Sequence, residues 1–140
     1  MKQEQKIIYS IGHSQLHFFN FAKLLRKYEI KVLVDIRSRP YSRFAPQFNR
    51  TALQAQLTKI GIEYIFKGHN LGGKDENIDF EQNIQWLCQQ TRKEQNVAIM
   101  CSEALYQKCH RHLLIEPLLK KQNIEVIHIL RDGTNSKTLL

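Results

Sequence analysis

The chain predicts an α/β fold: a three-layer α/β/α sandwich around a mostly parallel sheet of about five strands. Three observations predict it. Short apolar runs alternate along the whole chain with longer segments of helical spacing, the texture of successive βαβ units. Two of those runs, VLVDI (32–36) and VAIMC (97–101), are almost continuously apolar, as strands covered on both faces must be. The length, 140 residues, suits one domain. Because βαβ crossovers are right-handed and give parallel strands, the outline is Rossmann-like. The strand order is not readable from the sequence.

Each element has its own signal. Ile7–Ile11 (IIYSI) reads as a strand stopped by Gly12. His17–Tyr28 has apolar residues at 18, 21, 24, 25 and 28, one face of a helix. Val32–Ile36 is the second strand. Thr51–Ile60 reads as a helix with Gly61 just past its end, the usual stop position. Glu63–Phe66 (EYIF) is a third strand. Phe80–Glu94 reads as a helix with Ile84, Trp86, Leu87 and Cys88 turned inward. Val97–Cys101 is the fourth strand. A helix is expected from about Ala104 to Gln122, kinked or restarted at Pro117, which lacks an amide and clashes with the preceding turn. Glu125–Leu130 (EVIHIL) is the fifth strand. Residues 1–133 are read as one domain. Residues 1–5 are expected to fray, and 134–140 to form a loose tail.

Composition narrows the class. Hydrophobic residues make up 42% and charged residues 24%, which excludes disordered and collagen-like chains. No apolar run approaches the ~18–20 residues of a membrane helix, so no membrane partner is expected. The polar N-terminus lacks the apolar stretch and cleavage site of a secretory signal. The three cysteines, Cys88, Cys101 and Cys109, are odd in number and lack CxxC spacing. That argues against a disulfide framework and for a reducing cytoplasm.

The chain is basic, with 21 Lys+Arg against 13 Asp+Glu and a net charge of +8. Between 36 and 74 stand Arg37, Arg39, Arg43, Arg50, Lys59, Lys67 and Lys74 against Glu63 alone. Four acids then follow between Asp75 and Glu81. Such a balance favours an anionic small molecule or nucleic acid as partner.

In an open parallel sheet, ligands bind outside the carboxyl ends of the strands. That rule selects Gly12, His13 and Ser14 after the first strand, and the loop RSRPYSRF (37–44) after the second. It selects Lys67, His69, Leu71, Gly72 and Gly73 after the third, and Cys101, Ser102 and Glu103 after the fourth. The arginine loop is the strongest anion signal, because guanidinium groups grip phosphate with a fork of donors. The competing reading pairs these arginines with Asp35 and the acids at 75–81. Neither a Walker loop nor GxGxxG is present.

Cys101, at a strand end before an expected helix, is placed for a lowered pKa and nucleophilic chemistry. The alternative is a small buried residue ending a strand. A cysteine-phosphatase loop does not fit: position 107 is Gln, and the first arginine after Cys101 is Arg111. Glu103 and His110, seven apart, share a face if the helix starts early, and would then suit an acid/base pair. Cys101, Cys109, His110 and His112 offer metal donors, with His13, His69 or His128 as a fourth. Their spacing is not a standard zinc pattern, and no metal or cofactor is assigned. His128, mid-strand, reads as a hydrogen-bonded core histidine.

The runs IGHS (11–14), VDIRSRPYSRF (34–44), GIEY (61–64), LGG (71–73), MCSE (100–103), CHR (109–111) and VIHI (126–129) resemble the bacterial and archaeal domain-of-unknown-function family 488, from about Ile7 to Arg131. That family usually has a small residue such as alanine where this chain has Ser102. The resemblance implies a small cytoplasmic α/β domain and no particular reaction. It carries over signature positions only: His13, Ser14, Asp35, Arg37, Pro40, Ser42, Arg43, Gly72, Gly73, Cys101, Glu103, Cys109, His110 and Arg111.

Two functions are therefore weighed. The first is an enzyme acting on a phosphate-bearing small molecule or nucleotide at the carboxyl edge of the sheet. Its catalytic candidates are Cys101, Glu103 and His13. Its anion- or substrate-binding candidates are Arg37, Arg39, Arg43, Ser14, Ser42, Gly72, Gly73 and Arg111. The alternative is a basic nucleic-acid-binding module without catalysis, in which Tyr41 and Phe44 stack on bases.

Overall fold

The computed structural model describes residues 6–138; the expected fraying at 1–5 and the last two residues of the expected tail lie outside them. Five strands, β1 (Lys6–Gly12), β2 (Ile30–Asp35), β3 (Glu63–Phe66), β4 (Asn96–Cys101) and β5 (Ile124–His128), form one sheet in the order β3-β2-β4-β1-β5. Every pairing between them is parallel. The longer helices are α1 (Phe18–Lys27), α2 (Arg50–Lys59) and α4 (Phe80–Gln90); α3 (Gly68–Leu71) and α5 (Glu116–Lys121) are short.

The predicted sandwich is present, and packing explains it. On α1 the stripe Phe21, Leu24 and Leu25 is buried, while Arg26 and Lys27 sit in the last turn, where cations suit the carbonyl end. This stripe meets Leu53 and Leu57 of α2, Phe48, and the β2–β4 side chains Leu33, Ala98 and Met100 in one core. The opposite face buries Ile84 and Leu87 of α4 and Leu119 of α5 against Val32, Val34, Val97 and Ile99. Alternate residues of β2 and β4 thus feed two cores, which is why both strands read as continuous apolar runs. Among the described residues, no helix is long and apolar enough to cross a membrane.

The strand order positions the site. β4 lies between β1 and β2. The chain leaves β1 and β2 toward the α1/α2 face, and leaves β4 toward the α4/α5 face. The crevice that opens where connections part is the usual ligand site of such sheets, and here β4 is flanked by one on each side. The loops beyond the strands stay zipped: His13 N–H donates to Cys101 O at 2.9 Å, Ser14 N–H to Ser102 O at 3.0 Å, and Ile36 N–H to Met100 O at 3.0 Å. Gly12 permits this approach, since a Cβ there would fall 1.9 Å from the Glu103 carbonyl oxygen.

Two expectations are corrected. The helix expected over 104–122 is instead a loop with a single 3-10 turn at Tyr106–Lys108, a π-helical turn at Arg111–Ile115, and only then α5. Pro117 stands in the first turn of α5, where its missing amide costs nothing, so the restart there is as expected. Glu103 and His110 therefore share no helical face. The segment after β5 folds back instead of trailing: Ile129 bridges Asn135, Ser136 N–H donates to His128 O at 2.9 Å, and Ser136 Oγ accepts from His128 N–H at 3.0 Å.

Candidate active site

Two adjoining crevices open above β4, of about 360 and 520 Å³, within the usual range for small-molecule sites. Arg37, Arg39, Lys74, Ser102 and Glu103 line both. Gly73, Cys101, Lys108, Cys109 and His110 complete the first, and His13, Ser14, Tyr41, Ser42 and Phe44 border the second. The carboxyl-edge rule thus brings eight candidates together: His13, Ser14, Arg37, Arg39, Ser42, Gly73, Cys101 and Glu103. Arg43 is exposed and borders neither crevice, and Gly72 packs beneath, against Ser38. The Gly72 amide is already given to Asn77 Oδ1 at 2.8 Å.

Arg37 is not the free anion hook that the loop suggests. Its Nε donates to Asp35 Oδ1 at 2.9 Å and its Nη2 to Asp35 Oδ2 at 2.8 Å, with both side chains buried. Tyr64 Oη–H adds a 2.5 Å bond to the same carboxylate. Burial first, then the Asp35 charge, pushes the Tyr64 phenol far above its ordinary range. Arg37 Nη1 donates to His13 Nε2 at 3.1 Å, and His13 Nδ1–H donates to Ser14 O at 2.7 Å. Both His13 nitrogens are therefore occupied, and its ring stacks on Phe48 at 4.5 Å. Burial, then the Arg37 charge, lowers its pKa to about 4. His13 is thus neutral near pH 7, its ring fixed between Arg37, Ser14 and Phe48. Arg39 pairs with Asp75 at 3.2 Å on the surface, so two of the three loop arginines follow the competing, ion-paired reading.

The thiol side is built differently. Cys101 Sγ and Cys109 Sγ lie 2.6 Å apart, in direct contact, and either thiol can donate to the other. Arg111, 1% exposed, reaches up from the π-helical turn. Its Nη1 donates to Cys101 Sγ at 2.5 Å and to Glu103 O at 2.8 Å, and its Nε to Ser10 Oγ at 3.2 Å. No carboxylate is among these partners, so the Cys101–Cys109 thiol pair, met through Cys101, is the ionisable acid beside this guanidinium. The arginine that stands too far along the sequence for a phosphatase loop thus reaches the thiol through space.

His110 faces Cys109. Its Nε2–H donates to Ile36 O at 3.2 Å, which leaves Nδ1 directed at Cys109 Sγ at 3.5 Å. The proton of Cys109 can pass to that nitrogen, and the resulting imidazolium keeps a partner at each N–H. The hydrogen bond with Cys101, then those with His110 and the charge of Arg111, hold the Cys109 thiol well below its ordinary range against the opposing effect of burial. Cys101, hydrogen-bonded to Cys109 and more deeply buried, is pushed up and keeps the proton. Of the two thiols, Cys109 is therefore the one whose ionised form its surroundings favour, and it directly precedes the helical run that starts at His110, the Arg111 amide being among the groups that favour the thiolate. Gly73 makes room for the base, since a Cβ there would fall 2.6 Å from His110 Nδ1. Glu103 is exposed on the crevice rim, its carboxylate accepting from Leu105 N–H at 3.0 Å.

Below Arg111 runs a buried network that the sequence signalled only at His128. Ser10 Oγ–H donates to His128 Nδ1, and His128 Nε2–H to Glu116 Oε1 at 2.6 Å. Tyr106 stacks on His128 with centroids 3.9 Å apart. Ser10 is fully buried and Ser10, His128 and Glu116 border neither crevice, and this serine–histidine–glutamate chain meets Arg111 through Ser10. His128 is the hydrogen-bonded core histidine expected. Among the described residues, the group that brings three metal-ligating side chains together is His112, Glu116 and His128, not the cysteine-based set. In it His112 Nδ1 and His128 Nε2 both sit at hydrogen-bonding distance from Glu116 Oε1, 2.7 and 2.6 Å.

The family model described as Domain of unknown function DUF488 matches residues 17–82. No curated protein and no solved structure matches the chain. The matched stretch contains VDIRSRPYSRF, GIEY and LGG, while IGHS, MCSE and CHR lie outside it. The match over residues 17–82, which carry the loops after β2 and β3, supports the resemblance to the family described as Domain of unknown function DUF488.

Proposed function

We propose that the chain is a thiol-dependent enzyme acting on a phosphate-bearing small molecule of nucleotide size, held in the crevices above β4. The observation that carries this reading is Cys109 at a crevice floor with His110 Nδ1 directed at its sulfur and the opposite ring nitrogen held by a backbone carbonyl. A nucleophile, a base and an orienting third group are the working parts of covalent catalysis. Lys74 and Lys108, on the rim of the first crevice, supply charge for phosphate. Tyr41 and Phe44, 67% and 79% exposed beside the second, offer flat faces to a base. Glu103 is the carboxylate placed to exchange protons with a bound ligand.

The nucleic-acid reading draws on the same aromatics and on the net charge. Much of the mid-chain charge is engaged within the fold: Arg37 with Asp35, Arg39 with Asp75, Arg50 over Phe66 at 4.2 Å and Lys67 over Trp86 at 4.5 Å. That leaves less to follow a phosphate backbone and favours the small-ligand reading.

Thermal unfolding with adenosine monophosphate and with pyrophosphate tests the proposal. Both are expected to raise the Tm of the parent, and Lys108→Ala and Lys74→Ala to reduce that rise while leaving the unliganded Tm within a few degrees. Equal stabilisation of parent and both variants contradicts the assigned anion site. Stabilisation by single-stranded oligonucleotide alone, steeply lost with salt, favours the nucleic-acid reading instead.

A further inference from the structure

The nucleophile has a second sulfur in contact with it, which a simple cysteine–histidine enzyme does not need. Both sulfurs border the first crevice, and they are in direct contact with each other. Arg111 holds Cys101 against Cys109, and is itself held by Ser10 and the Glu103 carbonyl. Cys88 has no such neighbour. It packs on α4 and borders a separate crevice with Lys6 and Gln122.

Resting on the reading of Cys109 as the crevice nucleophile, we infer that Cys101 and Cys109 form a two-electron dithiol centre that reduces a low-molecular-weight anionic disulfide. The Cys109 thiolate attacks one sulfur of the substrate. The substrate S–S bond breaks, a mixed disulfide forms on Cys109, and the first substrate thiolate leaves with the proton that His110 took from Cys109. Cys101, ionised beside Arg111, then attacks Cys109 Sγ. The Cys101–Cys109 bond forms, the mixed disulfide breaks, and the second substrate thiolate leaves with the Cys101 proton. Two electrons and two protons pass from the protein dithiol to the substrate, which departs as two thiols. Lys74 and Lys108 give the crevice its preference for negative charge.

The sequence hides this pair because eight positions separate the two cysteines and the loop between them is irregular. Proximity comes from the 3-10 turn at Tyr106–Lys108, which ends at Cys109, with Arg111 just beyond it donating to Cys101.

The test is intact mass and peptide mapping of the reduced full chain exposed to glutathione disulfide, with neutral 2-hydroxyethyl disulfide for comparison. The parent is expected to become lighter by two hydrogens, linking Cys101 to Cys109 and leaving Cys88 free. Cys101→Ser is expected to trap the mixed disulfide on Cys109, and Cys109→Ser to give neither product. Closure is expected to be faster with the anionic disulfide, by a ratio that shrinks as salt is added. A stable adduct on Cys109 of the parent, without closure, overturns the dithiol centre and leaves the nucleophile standing. An inert Cys109 overturns both. Closure at equal rates with the two disulfides overturns the anionic substrate class. The parent alone decides these points if a serine variant does not fold.

Discussion

Two arginines lie buried beneath the same crevices, on opposite faces of the sheet, and they are held in opposite ways. Arg37 is locked to Asp35 by two parallel hydrogen bonds, and Tyr64 completes the carboxylate. Arg111 touches a sulfur, a carbonyl and a hydroxyl, and no carboxylate. A buried guanidinium matched by a carboxylate has its charge cancelled and serves the fold. One matched by thiols that can ionise holds a negative charge in place, and that charge is chemically reactive. The residue type is the same, and the difference in countercharge separates structure from chemistry.

Removing each charge should sharpen the contrast most. Arg37→Met leaves Asp35 buried without its partner, and is expected to cost about 3–5 kcal/mol. Arg111→Met leaves thiols that can take up protons and orphans chiefly the Glu103 carbonyl, for about 1–3 kcal/mol. Denaturant unfolding measures both, and equal losses would break the comparison. In particular, loss of ligand-induced stabilisation in an Arg37 variant cannot be read as loss of an anion contact unless its unfolding free energy is measured alongside.

The next effect is a pH dependence that His13 contributes on the Arg37 side. His13 titrates at about 4 in the fold and near 6.5 when unfolded. Between those values the unfolded chain binds more protons, so stability is full above pH 6.5 and falls as pH drops toward 4. The loss reaches about 3 kcal/mol. His13→Gln, which keeps a donor and an acceptor, should flatten this slope between pH 6.5 and 4. An unchanged slope would mean that His13 is not the group responsible.

The smallest expected change in stability belongs to Gly73→Ala on the thiol side. The added methyl meets the His110 ring at the protein surface, and the cost should stay within about 1 kcal/mol. The Cys109 reaction profile should nevertheless move toward that of an ordinary thiol. A shift in stability without a shift in reactivity would remove His110 from the thiol's environment.

The fold was legible because burial on two faces writes itself into β2 and β4 as continuous apolar runs, and because α1 shows its stripe openly. The carboxyl-edge rule located the crevices from strand ends alone. The loop from Ser102 to His110 was not legible. Its apolar spacing imitates a helix, and only packing reveals that the backbone must stay irregular for Arg111 to pass under Cys101. For Arg37 the sequence leaves two readings open, an anion contact and a pairing with Asp35, for a related reason. Asp35 stands two residues before it in the sequence, yet a strand end and a turn are needed to make that neighbour a bidentate partner. Cys109 and His110 were visible as part of CHR, but nothing in their spacing joins them to Cys101.

The direct measurement is the alkylation rate of each cysteine of the parent by iodoacetamide as a function of pH, resolved by peptide mass. Cys109 should react first, with an inflection well below the roughly 8.5 of an ordinary thiol, while Cys88 follows ordinary or slower behaviour. If Cys109 and Cys88 instead share one profile near or above that value in the folded protein, Arg111 holds no thiolate and the chemical half of the comparison is wrong.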